Sequence, residues 1–237
     1  MSTVQADFDR LALLDAAGWT QNNHYHNFLL RHVPSGCENA LEVGCGTGAF
    51  ARRLSECARH VTALDLSPEM IRVARSRSAE SSNLEFHVAD AMLWDLPAGH
   101  FDYIATIATL HHLPLREMIV KLKAALKPGG ILIVLDLFES ERNLFTAPGL
   151  VDTFLNLVAM GVSVSLRLIH NGRLKPSREV RAAWAAHEQH DTYPTMSEIR
   201  TLCAEILPGA EIKKHLLWRY SIIWQKRTVR LGQDSQD

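Results

Sequence analysis

From Asn39 onward, short apolar runs rich in β-branched residues alternate with stretches whose apolar positions recur at helical spacing. The runs are Ala40–Val43, Val61–Leu64, Leu84–Val88, Tyr103–Ile107 and Ile131–Leu135. They read as continuously apolar rather than alternating, the pattern of strands covered on both faces. Strand and helix signals in alternation predict an α/β protein with a mostly parallel sheet. Ser67-Pro68 marks a helix start, an N-cap followed by proline at the first helical position. Lys127-Pro128-Gly129-Gly130 reads as a helix end that turns into a strand.

After the fifth run the rhythm changes. Residues 141 to about 194 carry no convincing strand signal, which predicts a helical insertion, and Thr195-Met-Ser-Glu198 has the T-x-x-E form of a capping box that opens a further helix. Within the insertion, Thr153–Leu166 is uncharged between Asp152 and Arg167. That stretch is shorter than the ~20 residues of a spanning helix. It is expected to form a buried helix or helix pair over a pocket rather than a membrane span. Phe145, Leu150, Phe154 and Leu157 are its expected apolar lining. Ile212–Trp218 and Tyr220–Trp224 predict an antiparallel pair at the sheet edge, and the polar residues Leu231–Asp237 a frayed end.

Composition narrows the partners. The 237 residues are 47% hydrophobic, enough for a full core. Lys plus Arg number 25 against 26 Asp plus Glu, so the net charge of −1 offers no strong attraction to nucleic acid or anionic membrane. A small-molecule partner is expected, and a homodimer stays open. Cys37, Cys45, Cys57 and Cys203 show neither C-x-x-C spacing nor the density of a secreted scaffold, and the opening MSTVQADFDR has no basic stretch before an apolar one. Both observations point to the cytoplasm.

The strongest chemical signal is Leu41-Glu42-Val43-Gly44-Cys45-Gly46-Thr47-Gly48, which joins the first strand to a helix. Glycines there allow a sharp turn and a close approach of backbone to ligand. Asp65 follows Gly44 by 21 residues at the end of the second strand, where a carboxylate can accept both hydroxyls of a ribose. A nicotinamide-dependent oxidoreductase would share this topology, but its G-x-G-x-x-G fingerprint cradles a pyrophosphate. Here the glycines stand at 44, 46 and 48.

That G-x-G-x-G loop resembles motif I of class I S-adenosylmethionine-dependent methyltransferases. Four more segments resemble the family in order: Asp65-Leu-Ser-Pro-Glu-Met70, Phe86-His-Val-Ala-Asp90-Ala91, Phe101–Thr106 with Leu110-His111-His112-Leu113, and Leu126–Gly130 with Ile131–Leu135. Asn23-His24-Tyr25-His26 and Leu216–Ser221 extend the likeness to the ubiquinone/menaquinone-methyltransferase-like bacterial proteins. The resemblance implies a Rossmann-like, doubly wound, seven-stranded sheet with its last strand antiparallel. It also implies an N-terminal helical lid over residues 1–38 and a methyltransferase domain over 39–237, with an acceptor cap at about 141–194. S-adenosylmethionine is the implied cofactor and S-adenosylhomocysteine its product.

The implied cofactor contacts are Tyr25 in the lid, Glu42, Gly44, Cys45, Gly46 and Gly48 in the loop, Asp65 and Leu66 at the ribose, Met70, Asp90 and Ala91 at the adenine, and Thr106 and Ile107 beside the methionine part. Ile107 stands where relatives often carry a polar residue, so its contact is expected through backbone. Glu42 either meets the cofactor's amino end or holds the loop, and Met70 serves the adenine or the core. No Asn-Pro-Pro-Tyr-like motif of base-methylating enzymes is present, which argues against flipped-base chemistry.

Methyl transfer depends chiefly on alignment and water exclusion, with a base where the acceptor must lose a proton. His112, His111 and His26 are the candidates, since histidine titrates near neutrality. A non-catalytic S-adenosylmethionine-binding module is the rival reading. His187, His190 and Asp191 share a helix-like spacing, but no third ligand stands near them in sequence, so no metal is expected. Arg173, Lys175, Arg178 and Arg181 read as a solvated surface, and the basic residues from Arg219 to Arg230 as edge-strand charges.

Overall fold

The computed structural model describes residues 3–14, 19–139, 147–172, 175–189 and 191–228. Phe145, Arg173, His190, Arg230 and Leu231–Asp237 lie outside them.

Five strands, β1 (Asn39–Val43), β2 (His60–Asp65), β3 (Leu84–Val88), β4 (Phe101–Ile107) and β5 (Leu126–Leu137), pair in parallel, and β6 (Glu211–His215) and β7 (Arg219–Gln225) complete a seven-stranded sheet of order β3-β2-β1-β4-β5-β7-β6. β7 runs antiparallel to both β5 and β6. The helices are α1 (Thr3–Leu13), α2 (Gln21–His24), α3 (His26–Leu30), α4 (Ala49–Leu54), α5 (Pro68–Ser76), α6 (Leu115–Ala125), α7 (Ala147–Asn171), α8 (Arg178–His187) and α9 (Met196–Ile206).

The strands are apolar on both sides because both sides are covered. Leu41, Ile104, Leu132 and Val134 face Met118 and Leu122 of α6 and Ile199 and Cys203 of α9. Their neighbours Ala40, Tyr103, Ala105, Ile133 and Leu135 face Leu29 of α3 and Phe50 and Leu54 of α4. β3 departs from the continuous pattern: as an edge strand it buries Phe86 and leaves Glu85 and Val88 exposed.

Two boundaries differ from the sequence expectation. Lys127–Gly130 lies inside β5, which starts directly after α6, because β4 pairs back to Leu126 through a register shift between Phe101 and Tyr103. Leu216–Trp218 forms the turn between β6 and β7, with Leu217 and Trp218 both at φ 59. Of this pair, β6 alone lies at an edge of the sheet. Arg219 is accordingly a buried residue of an inner strand rather than an edge charge, donating from Nε to Asn22 Oδ1 at 2.9 Å.

The predicted helix starts are formed. Ser67 Oγ accepts from Met70 N at 3.0 Å. Thr195 and Glu198 close a reciprocal capping box.

The insertion is helical, but its apolar residues are not where the sequence suggested. Phe154, Leu157, Met160, Val164 and Ile169 of α7 are exposed, while Ala159, Val162 and Leu166 pack toward the sheet. Phe154 and Leu157 are not among the residues that line the large cavity at the strand ends. α7 continues past Arg167, so Thr153–Asn171 is a 19-residue stretch of mean hydropathy 1.4, long and apolar enough by those measures to cross a bilayer.

Candidate active site

One cavity of about 1260 Å³ opens at the carboxyl ends of β1, β2 and β4, where open α/β sheets bind ligands. Its wall on one side is the glycine loop. Gly44 N and Cys45 N both donate to Leu64 O, at 2.8 and 2.9 Å, fastening the loop to β2. Asp65 then ties the two loops together: Oδ2 accepts from Gly46 N at 2.7 Å and Oδ1 from Ser67 N at 2.9 Å. Burial raises the Asp65 carboxyl above its usual range against the pull of these bonds.

The three glycines have different reasons. A Cβ on Gly44 would stand 2.1 Å from Thr109 Oγ1, and one on Gly48 would stand 2.8 Å from the Phe86 ring. Both are small because the protein packs against them. Gly46, at φ +51, would meet no protein atom within 4 Å. It is the position where backbone is left bare to the cavity it lines.

Of the expected cofactor contacts, Glu42, Gly44, Cys45, Gly46, Asp65, Leu66, Met70, Asp90, Ala91 and Ile107 line this cavity. Tyr25, Gly48 and Thr106 do not. Tyr25 is buried, its hydroxyl donating to Leu216 O and its phenol pushed by burial up to about 12. Gly48 faces Phe86. Thr106 sits wholly inside the sheet, its Oγ1 buried without a partner among the described residues. Glu42 is also buried, with Oε2 unpartnered among the described residues, and burial followed by the nearby Asp65 raises its carboxyl well above the ordinary range.

His26, His111 and His112 all line the cavity but at different places. His26 packs edge-on against Phe50, its ring centroid 5.3 Å away, and burial with Arg53 nearby holds its imidazole down at about 4. His111 and His112 lie on a 3-10 turn, Leu110–His112, after β4. Ala108, at φ 49, bends the chain into it. Asp136 at the end of β5 organises that turn, accepting from Leu110 N at 2.7 Å, His111 N at 3.2 Å and His111 Nδ1 at 2.6 Å. A carboxylate can only accept, so Nδ1 carries the proton and Nε2 of a neutral His111 is bare. Burial, then His111, lowers the His112 imidazole to about 4.

The opposite wall combines the expected cap with segments that the sequence did not join to it. Phe8 and Leu11 of α1, Trp184 and His187 of α8, Asp191, Tyr193 and Arg219 all line the cavity. Phe8, Leu11, Trp184 and Tyr193 carry no motif, while His187 and Asp191 stood out only by their mutual spacing and Arg219 only within Leu216–Ser221. α1 is held over α5 because Asp9 accepts from Ser67 Oγ at 2.5 Å and from Glu69 N at 3.3 Å, while Leu11 and Ala12 pack on Met70 and Ala183.

Residues 40–130 match the family model described as a methyltransferase domain. An uncharacterized methyltransferase of Mycobacterium tuberculosis is 31% identical over 211 residues, 87% of this chain and 96% of that protein. A ubiquinone biosynthesis O-methyltransferase of Xylella fastidiosa is 31% identical over 201 residues, 77% of each chain. Among solved structures, the N-methyltransferase NodS of Bradyrhizobium japonicum, in complex with S-adenosyl-L-homocysteine, superposes with a TM-score of 0.60 at 16% identity, over 95% of this chain and 99% of that one.

Proposed function

The chain belongs to the class I S-adenosylmethionine-dependent methyltransferases, and from that premise we propose that its methyl acceptor is a small molecule, enclosed between the glycine loop and the helices of the insertion. The observation that carries this reading is the continuity of the cavity. The same space is lined by Gly46, Asp65 and Asp90 on one side and by Val180, Trp184 and His187 of α8 on the other, with Phe8 and Leu11 of α1 above Met70.

The residues present fit the cofactor. Gly46 leaves backbone bare, and the Asp65 oxygens, each accepting one backbone N–H, keep further lone pairs for ribose hydroxyls. Met70 and Ala91 supply apolar contact for a base. When bound, S-adenosylmethionine supplies an electrophilic methyl group. The chain's own residues bind, orient and exclude water. Phe8, Leu11, Trp184 and Val180 are the apolar walls that keep an acceptor dry and aligned.

His111 and His112 stand where the glycine-loop side meets the α8 side, whereas His26 lies against α4. The two neighbouring histidines are therefore the acceptor-side groups. The oxygen methylation of the Xylella relative is one chemistry this arrangement accommodates.

The test is transfer of labelled methyl from the cofactor into a metabolite extract, separated by size. Label in the small-molecule fraction supports the reading. Label confined to protein or nucleic acid overturns it.

A further inference from the structure

Four side chains from two segments far apart in the sequence converge on the acceptor side. Asp191 is the centre. His112 Nδ1 lies 3.3 Å from its Oδ1, and His187 Nε2 and His111 Nε2 lie 3.7 and 4.0 Å from its Oδ2. Ligand atoms of His111, His112 and Asp191 all fall within 4.8 Å of one another. The side chains of His111, His112, His187 and Asp191 are only 4, 9, 3 and 4% exposed.

Two features distinguish this cluster from ordinary buried ion pairs. The first is the outer ring: His111 gives Nδ1 to Asp136 at 2.6 Å, and His187 gives Nδ1 to Asp7 at 3.2 Å. Each carboxylate fixes the tautomer that turns a bare Nε2 toward Asp191, and this histidine–carboxylate backing is the usual support of metal-ligating imidazoles. The second is that three imidazole nitrogens surround Asp191 without a hydrogen bond to it among the described residues, where its donor is the Tyr193 hydroxyl at 3.0 Å. The separations about Asp191 run from 3.3 to 4.0 Å, from the ~3.3 Å edge of a tetrahedron with metal–ligand bonds of ~2.0–2.1 Å to ~0.7 Å beyond it.

We infer that His111, His112, His187 and Asp191 form a site for one divalent transition-metal ion. Three imidazoles and one carboxylate suit zinc, iron, cobalt or nickel, and not magnesium or calcium, which prefer oxygen sets. The expectation of no metal rested on His187 and Asp191 lacking a third ligand in sequence. The fold supplies His111 and His112 from some 75 residues earlier. Because the cluster lines the same cavity as the glycine loop, an ion there takes an oxygen donor of the acceptor, a hydroxyl or carboxylate, as a fifth ligand. That second step rests on the methyl-transfer reading, and the metal site itself does not.

The experiment is titration of the untagged, metal-stripped full chain with Co²⁺, read as visible d–d absorption and as stoichiometry by equilibrium dialysis. Calorimetry with S-adenosylhomocysteine runs in parallel. One ion per chain is expected, with affinity falling at least ~100-fold in Asp191→Asn and in His187→Gln, and with Zn²⁺ displacing Co²⁺ where Mg²⁺ does not. Circular dichroism and retained S-adenosylhomocysteine binding report that both variants are folded. No Co²⁺ spectrum in the wild type, or a spectrum equally strong in both variants, overturns the site. Loss of S-adenosylhomocysteine binding in the wild type would instead strike the cofactor assignment and leave the metal result to stand by itself.

Discussion

At the scale of single residues, the glycine loop separates two physical roles that a sequence motif merges. Gly44→Ala drives a methyl into Thr109. It is expected to destabilise the protein by ~2–4 kcal/mol, seen as a lowered denaturation midpoint. Gly46→Ala meets no protein atom, so it should cost only the ~1 kcal/mol of a left-handed alanine while weakening S-adenosylhomocysteine binding ~10-fold or more in calorimetry. Equal stability losses for the two would contradict the packing argument. Asp65→Ala should weaken the same binding by ~1–3 kcal/mol, since it removes a charged acceptor for ribose hydroxyls. It also unties Gly46 from Ser67, and an unchanged dissociation constant would remove the ribose assignment.

His26 makes a pH prediction. Its imidazole sits at about 4 in the folded protein, against ~6.5 in an unfolded chain, so between those values the unfolded state binds more protons. The stability it confers is present above pH ~6.5 and lost as the pH falls through about 4. Denaturant titrations at pH 7 and pH 4 should show the wild type losing about 2–3 kcal/mol more than His26→Gln. Parallel losses would place the acid sensitivity elsewhere. Glycine spacing and Asp65 were legible in the sequence because they are local backbone requirements. That Tyr25 and Thr106 stand off the cavity lining was not legible, because position in a motif order does not say which face of the wall a side chain takes.

At the scale of elements, α1 is the one whose role depends most on contacts far along the chain. It docks through Leu11 and Ala12 onto Met70 and Ala183 and through Asp9 onto the start of α5. Leu11 is 1% exposed. Leu11→Ala should withdraw about 1.5–3 kcal/mol of burial, loosening α1 locally. Amide exchange in α1 should quicken ~10-fold or more, with the sheet unaffected, and S-adenosylhomocysteine affinity should fall several-fold as Met70 loses its cover. Unchanged protection in α1 would show that it does not form the cavity roof. Capping signals such as Ser67 and Thr195–Glu198 were readable because they act within one helical turn. α7 was not, because 3.6-residue periodicity in a helix apolar nearly all round does not say which stripe meets the sheet.

At the scale of the whole molecule, cofactor binding is expected to couple the two halves of the cavity. S-adenosylhomocysteine at ~100 times its dissociation constant should stabilise the fold by about 2.7 kcal/mol, raising the melting temperature by ~5–10 °C. NAD at the same concentration should not, which separates this site from a dinucleotide one; an equal rise with NAD would reopen the oxidoreductase reading. The sequence by itself determined the parallel α/β plan, the strand-to-helix turns and the nucleoside side of the cavity. Each depends on residues within one strand–loop–helix unit, where periodicity, glycine and capping chemistry act locally. Only the tertiary structure decided the other side. His111, His187, Asp191, Asp7 and Asp136 come together through the packing of α1, α8 and the end of β5. Such contacts between distant segments are set by the burial of whole elements, and they leave no spacing for a sequence to display.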